Sequence, residues 1–308
     1  MPSDPQNQAA SPAKTYILAG TAIRAPDLPG GLHLVATPIG NLRDITIRAL
    51  ETLAAADVIA CEDTRVTHRL TEHYGIATPL TPYHDHNAAS ARPRILARMA
   101  AGEAVALVSD AGTPLISDPG FKLVRAAHEA GQMVTALPGA SATLVALSAS
   151  GLPTDRFFFE GFLPSKQGQR QNRIAELAAI PATLVLFESG SRLPQALADL
   201  ASGLGAREAA VCRELTKRHE EVRRASLSDL ADHYAGDAET RGEFVLVIGP
   251  PAENEAAASE ADVDAMLRNA LARGSVKDAV AAVATATGRP RRDIYRRALA
   301  IDTDAAPR

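Results

Sequence analysis

From Gly31 onward the chain alternates short apolar runs with longer stretches whose apolar positions recur every third or fourth residue. Leu32–Ala36, Asp57–Cys61, Val105–Val108 and Met133–Leu137 read as strands, too short for helices and bounded by turn residues. Between them lie helical patterns: Ile45–Ala56 (Ile45, Ile47, Leu50 and Leu53 apolar), Thr64–Tyr74 stopped by Gly75, Ala89–Ala101, and Phe121–Ala130 ending at Gly131. Such alternation predicts a parallel sheet covered by helices. Gly151-Leu152-Pro153 breaks the pattern. Beyond it Phe157–Gly161, Thr183–Phe187, Ala209–Cys212, Glu221–Ala225 and Phe244–Ile248 read as strands, with helices at Gln171–Ala179, Leu193–Ser202 and Ser228–His233. Glu221–Ala225 follows Ala209–Cys212 too soon for a helical crossover, so this second unit should contain antiparallel pairs.

The plan is α/β, with two α/β domains at 31–150 and 151–250. A Pro-, Ala- and Ser-rich segment, 1–30, precedes them and is expected to be disordered. A linker, 251–261, and a helical extension, 262–300, follow. In the extension Ser275 is a helix N-cap with Asp278 three residues on, Gly288 ends that helix, and Pro290 opens the next. Helix, glycine turn and helix resemble a helix-turn-helix. Arg289, Arg291, Arg292, Arg296 and Arg297 crowd its last helix, so a polyanion would touch here; the alternative is a solvated basic face on a capping bundle.

Two strand ends carry loops of small residues. Val105–Val108 runs into Ser109-Asp110-Ala111-Gly112-Thr113-Pro114, and Met133–Leu137 runs into Pro138-Gly139-Ala140-Ser141-Ala142. In a parallel sheet ligands sit in the crevice beyond the carboxyl ends of the strands. Bare backbone with one carboxylate, Asp110, suits a nucleotide-like ligand, with turn capping as the alternative role of Asp110. Neither GxxxxGK[ST] nor GxGxxG after a strand occurs, which argues against a P-loop NTPase or a conventional dinucleotide enzyme.

With 308 residues, 46% hydrophobic and 22% charged, the chain can bury a sizeable core, and its net charge of −4 does not advertise a nucleic-acid binder outside the basic tail. Cys61 and Cys212 lie far apart in apolar runs and read as buried, reduced thiols. No run approaches the roughly 18–20 apolar residues of a membrane span. The N-terminal segment lacks a signal-peptide pattern. The expected location is the cytoplasm, without a membrane partner.

The motifs VATPIGNLRDITIRALE (Val35–Glu51), CEDTR (Cys61–Arg65), YHDHN (Tyr83–Asn87), SDAGTPLISDPG (Ser109–Gly120) and LPGASA (Leu137–Ala142) occur in one order. FFFEGFLP (Phe157–Pro164), LVLFES (Leu184–Ser189), CRELTKRHEE (Cys212–Glu221) and GEFVLVIG (Gly242–Gly249) follow. Together they resemble the tetrapyrrole-methylase superfamily and, within it, the small-subunit ribosomal RNA methyltransferase I family. The resemblance spans roughly 31–300 and includes the helical tail. It departs at Gly190 and Ser191, where that family more often has Pro-His before the Arg at Arg192. It implies S-adenosylmethionine folded between the two domains, against Ser109, Asp110, Ala111, Gly112 and Thr113 and against Pro138, Gly139, Ala140 and Ser141. Leu186, Phe187, Cys212 and Arg213 would complete the adenine side. It also implies methylation of the ribose 2′-oxygen of cytidine-1402 in 16S rRNA, on the 30S subunit, by a homodimer.

A ribose hydroxyl is barely ionised near neutral pH, so it must be held in line with the methyl–sulfur bond and relieved of its proton. Candidates for this work are Glu62, Asp63 and Arg65, then His86, then Lys217. Asp63 is the preferred base, with helix capping as its alternative role; Arg65 or Lys217 would hold flanking phosphates. His68 and His73 are five residues apart, off the i, i+4 spacing that would pair them, so no metal is expected beside His84-Asp85-His86. Two other functions compete: a tetrapyrrole C-methyltransferase, and a nucleic-acid-binding regulator with the α/β body as sensor.

Overall fold

The computed structural model describes residues 14–236, 238–251, 260–271, 274–287 and 290–304. The expectations for residues 1–13, for the linker over 252–259 and for Gly288 and Arg289 fall outside them. Residues 15–24 form a hairpin, β1 (Thr15–Leu18) antiparallel to β2 (Thr21–Arg24). The expected disorder of 1–30 therefore does not extend to this part. Tyr16, only 2% exposed, anchors the hairpin in the core beside Tyr74, and Ile17 N–H donates to the Tyr74 carbonyl at 2.6 Å.

The first domain is a five-stranded sheet in the order β5 (Leu80–Pro82), β4 (Val58–Cys61), β6 (Ala104–Val108), β3 (Gly31–Leu34), β7 (Val134–Ala136). All its pairings are parallel. Every residue of β6 is buried, as a central strand covered on both faces requires. Helices α1 (Ile47–Ala55), α2 (Thr64–His73), α3 (Ala88–Ala100) and α4 (Phe121–Glu129) make the crossovers. Because β3 lies between β6 and β7, the loops after these three strands meet at one end of the sheet.

The second sheet runs β11 (Glu221–Ser226), β10 (Glu208–Arg213), β12 (Glu243–Ile248), β9 (Thr183–Ser189), β8 (Phe157–Phe162). Only β8 and β9 are parallel; the other three pairings are antiparallel, as the short β10–β11 connection demands. Its helices are α6 (Gln167–Ala178), α7 (Leu193–Leu204) and α8 (Leu227–Ala235). Helix α5 (Ala142–Ser150) joins the halves. Ala146 and Leu147 pack with Ile39 from the loop after β3 and with Val185, Ala210, Cys212 and Val245 of the second sheet. Three helices, α9 (Glu260–Leu271), α10 (Val276–Thr287) and α11 (Arg291–Asp304), form a separate small core around Val263, Leu267, Val283 and Ile294. Among the described residues no helix is long and apolar enough to cross a membrane.

Candidate active-site cleft

Backbone pairing locks the strand-end loops together. Thr37 and Gly112 exchange both hydrogen bonds, at 2.9 and 3.0 Å, and Thr113 Oγ1 donates to the Ala140 carbonyl at 3.1 Å. A Cβ on Gly139 would lie 2.6 Å from Ala36 Cβ, so only glycine lets that loop close down on the first. These loops and the second domain enclose a cleft of about 390 Å³. Ala111, Gly112, Thr113, Ser141, Ala142 and Thr143 line one side, and Phe162, Phe187, Leu215 and Val245 the other.

The cleft suits a ligand with an apolar body and an anionic end. Ser141 caps α5 without a side-chain hydrogen bond, and the first turn of α5 carries no acidic residue. Thr143 Oγ1, on the same turn, is buried without a hydrogen-bond partner among the described residues. A helix N-terminus with unmet donors accepts a carboxylate. Phe187 meets Phe159 edge-on at 5.0 Å and Phe162 at 5.7 Å, so its ring is held in place on the apolar side of the cleft. Backbone strain gathers here too: Leu115 (φ 75°), Ser117 (φ 64°), Glu214 (φ 48°) and Thr216 (φ 65°) all lie on loops bordering the cleft.

Of the residues expected at the cofactor, Ala111, Gly112, Thr113, Ser141 and Phe187 line the cleft. Ser109 and Asp110 instead border a smaller recess of about 190 Å³ beside Pro38 and Arg69. Asp110 accepts from the Asp63 backbone N–H at 3.1 Å, tying the ends of β6 and β4. Pro138 and Gly139 are exposed, Ala140 half-buried, and none of the three borders the cleft. Leu186 and Cys212 are fully buried: strand alternation turns Leu186 into the core of the second domain and Cys212 toward α5, so neither side chain reaches the cleft. Arg213 donates from Nε to the Arg241 carbonyl at 2.9 Å and faces Glu239, outside it as well.

The catalytic candidates divide sharply. Asp63 caps α2, accepting from Arg65 N at 2.8 Å, and its carboxylate is gripped by the Arg65 guanidinium at 2.6 and 3.0 Å. That grip holds the Asp63 carboxyl down at about 2. It is a poor proton acceptor, while the Arg65 side chain stays 87% exposed and pairs with Asp63 through Nε and Nη2. Lys217 is likewise engaged, with Glu214 at 2.9 Å and Glu243 at 2.6 Å. Burial alone would lower its pKa, but those two carboxylates raise it. Its stem covers Gly40, where a Cβ would come within 2.4 Å. His86 is exposed in the turn before α3 and does not border the cleft, and Asn87 closes that turn by accepting from His84 N at 2.9 Å. Glu62 is pushed up by burial and by the neighbouring charges of Asp110 and Asp118. Asp118 borders the cleft; no sequence expectation singles it out, although it stands near the end of the SDAGTPLISDPG motif. Among the described residues no group of three His, Cys, Asp or Glu could hold a metal.

On the tail, Arg291 and Arg292 are exposed. Arg296 is exposed and makes a loose 3.4 Å contact to Asp293. Arg297 is not part of an open basic face: it ties α11 to α9 through Asp264.

Residues 31–231 match the family model described as tetrapyrrole (corrin/porphyrin) methylases, and residues 257–302 match the RsmI C-terminal HTH domain. A ribosomal RNA small subunit methyltransferase I of Mesorhizobium japonicum is 52% identical over 281 residues, covering 91% of this chain and 95% of that protein. One from Xylella fastidiosa is 47% identical, covering 87% and 98%. Among solved structures a diphthine synthase (TM-score 0.56, 18% identity, 71% of this chain and 89% of the other) shares the fold of the body. A cobalt precorrin-4 methyltransferase of cobalamin biosynthesis (0.54, 19%, 71% and 94%) does so too. By the match along nearly its whole length, the chain belongs to the ribosomal RNA small subunit methyltransferase I family, built on the tetrapyrrole-methylase fold.

Proposed function

We propose that this protein transfers the methyl group of S-adenosylmethionine to the ribose 2′-oxygen of a cytidine, cytidine-1402, in 16S rRNA of the small ribosomal subunit. The observation that carries the reading is the cleft itself, closed by three interlocked strand-end loops and carrying unmet donors at the α5 N-terminus. Thr143 and the first turn of α5 suit the methionine carboxylate, while Ala111–Thr113, Phe187 and Leu215 suit the adenosyl body. When bound, the cofactor supplies an electrophilic methyl group on a sulfonium. The chain's part is to exclude water, to orient the acceptor hydroxyl and to take its proton.

The acceptor side rests on the names of the relatives, which act on small-subunit ribosomal RNA, and on the exposed Arg291, Arg292 and Arg296 of the tail. A tetrapyrrole would need neither that tail nor the CEDTR and YHDHN loops. We further expect a homodimer in solution. The test is transfer from labelled S-adenosylmethionine to unmodified 30S subunits, with uroporphyrinogen as competing acceptor. Label on the RNA alone supports the reading; label on the tetrapyrrole, or on neither, refutes it.

A further inference from the structure

Beside the cleft lies a second hollow that the cofactor does not need. It measures about 190 Å³ and is lined by Pro38, Gly40 and Leu42 after β3, Val66 and Arg69 of α2, and Ser109 after β6. The two hollows share a thin wall. Ile39 and Gly112 border the cleft, their neighbours Pro38, Gly40 and Ser109 border the recess, and Thr37 pairs with Gly112 between them. At about 30 Å³ per water the recess has room for about six, less than the ~300 Å³ of a site for a whole drug-sized ligand. It fits one unit of a longer chain.

Two separate elements make its rim cationic. Arg65 and Arg69 stand four residues apart on α2, share a face and are both exposed. Arg43 is exposed on the short helical turn Leu42–Asp44, which is fastened to the end of α2 because Tyr74 Oη donates to the Leu42 carbonyl at 2.7 Å. Elsewhere on the body arginines meet carboxylates: Arg98 holds Glu103, Arg173 holds Glu160 and Arg223 holds Glu221. Among the described residues Arg43 and Arg69 make no ion pair. The acidic groups nearby are turned to other partners, Asp110 to the Asp63 N–H and Asp63 to Arg65. In a chain of net charge −4, two unneutralised guanidinium groups beside a hollow mark a place for an anion.

We propose that the recess is a backbone subsite for the RNA strand that carries the acceptor, seating one nucleotide unit with the strand's phosphates against Arg69 and Arg43. The proposal rests on the methyl-transfer reading above, which requires that strand to lie beside the cofactor; the shared wall puts the recess there. Arginine suits the task because its planar fork meets a phosphate with two parallel N–H donors. Such contacts fix where a strand lies without reading its sequence. Arg43 and Arg69 are therefore binding residues, and their removal acts on affinity rather than on the chemical step.

The experiment uses the full-length protein, unmodified 30S subunits and the single variants Arg43→Ala, Arg69→Ala and Arg69→Lys. In each alanine variant we expect KM for 30S subunits to rise about tenfold, the lower end for losing a charged hydrogen bond. The slope of log affinity against log salt should flatten by about 0.7–0.9, one phosphate's share. Arg69→Lys keeps the charge, so it should hold the wild-type slope and recover part of the KM. In all three kcat should stay within about threefold and S-adenosylhomocysteine affinity, measured by calorimetry, within about twofold, which also reports folding. A wild-type slope in either alanine variant overturns the proposal, as does loss of S-adenosylhomocysteine binding. So does calorimetric binding of inorganic phosphate that Arg69→Ala abolishes while 30S affinity is unchanged, which would make the recess a site for a free anion. Wild-type protein that binds 30S subunits but methylates none would bring down the functional reading, while the salt slopes would still decide the recess.

Discussion

Glu62 and Asp63 both follow β4 and differ in what surrounds them. A guanidinium and a helix N-terminus hold Asp63 ionised down to about 2. Its contribution to stability is therefore present above the unfolded carboxyl value of about 3.9 and lost as pH falls through about 2. We expect Asp63→Asn to leave kcat within about threefold, far from the 10²–10⁴-fold loss of a general base. It should lower the melting temperature relative to wild type above pH 4, with the gap closing toward pH 2; calorimetric scans across that range check this. A 10²-fold fall in kcat would return Asp63 to the chemistry. Glu62 has the opposite sign: its carboxyl is raised, so stability is lost as pH rises through its folded value. Glu62→Gln should raise the melting temperature at pH 8. The Cys212 thiol is pushed up to about 12 by burial, so it should resist iodoacetamide in the native protein and react only after unfolding. At this scale the sequence pointed to loops that border the cleft but not to the side-chain directions. Leu186 and Phe187 look equivalent as neighbours in one motif, yet strand alternation sends one to the core and the other to the cleft.

Strands and helices were legible wherever periodicity was clean. The central strand β6 and helices α2 and α4 lie where the apolar pattern predicts. β5, the β1–β2 hairpin and α5 escaped. β5 is a three-residue strand ending in Pro82, too short for any pattern. The β1–β2 hairpin hides in a Pro-, Ala- and Ser-rich lead, where among the described residues only Tyr16 is a large, buried side chain, with Leu18 and Ile23 packed beside it. α5 packs on the second sheet while lining the cleft with its first turn, so small residues on several sides blur its amphipathic stripe. Two close approaches between elements make sharp tests. The buried pair Arg170–Asp199 joins α6 to α7, and Asp199→Ala should cost about 3–5 kcal/mol in a denaturant titration because it strands a buried guanidinium. Gly190 packs so closely that a Cβ would lie 1.5 Å from the Thr240 carbonyl oxygen. Gly190→Ala should therefore destabilise by about 1–3 kcal/mol, as overpacking does, and weaken S-adenosylhomocysteine binding through the adjoining Ser189 and Gly242.

For the whole molecule, the sequence indicated two α/β units and a helical extension. The cleft could not be read in detail, because it is made by residues more than a hundred positions apart. Removing 252–308 should leave cofactor binding intact, since among the described residues none of that segment lines the cleft. The same truncation should weaken binding to 30S subunits, and unchanged RNA affinity would contradict the role given to the tail. Arg291→Ala with Arg292→Ala should flatten the dependence of log affinity on log salt by roughly 1.4–1.8, about 0.7–0.9 for each phosphate left without its arginine. The most direct test of the account is to methylate unmodified 30S subunits with labelled S-adenosylmethionine, digest the RNA and map the labelled nucleotide. The account predicts label on the ribose 2′-oxygen of cytidine-1402; label on a base, on another nucleotide, or absent although S-adenosylhomocysteine binds would contradict it.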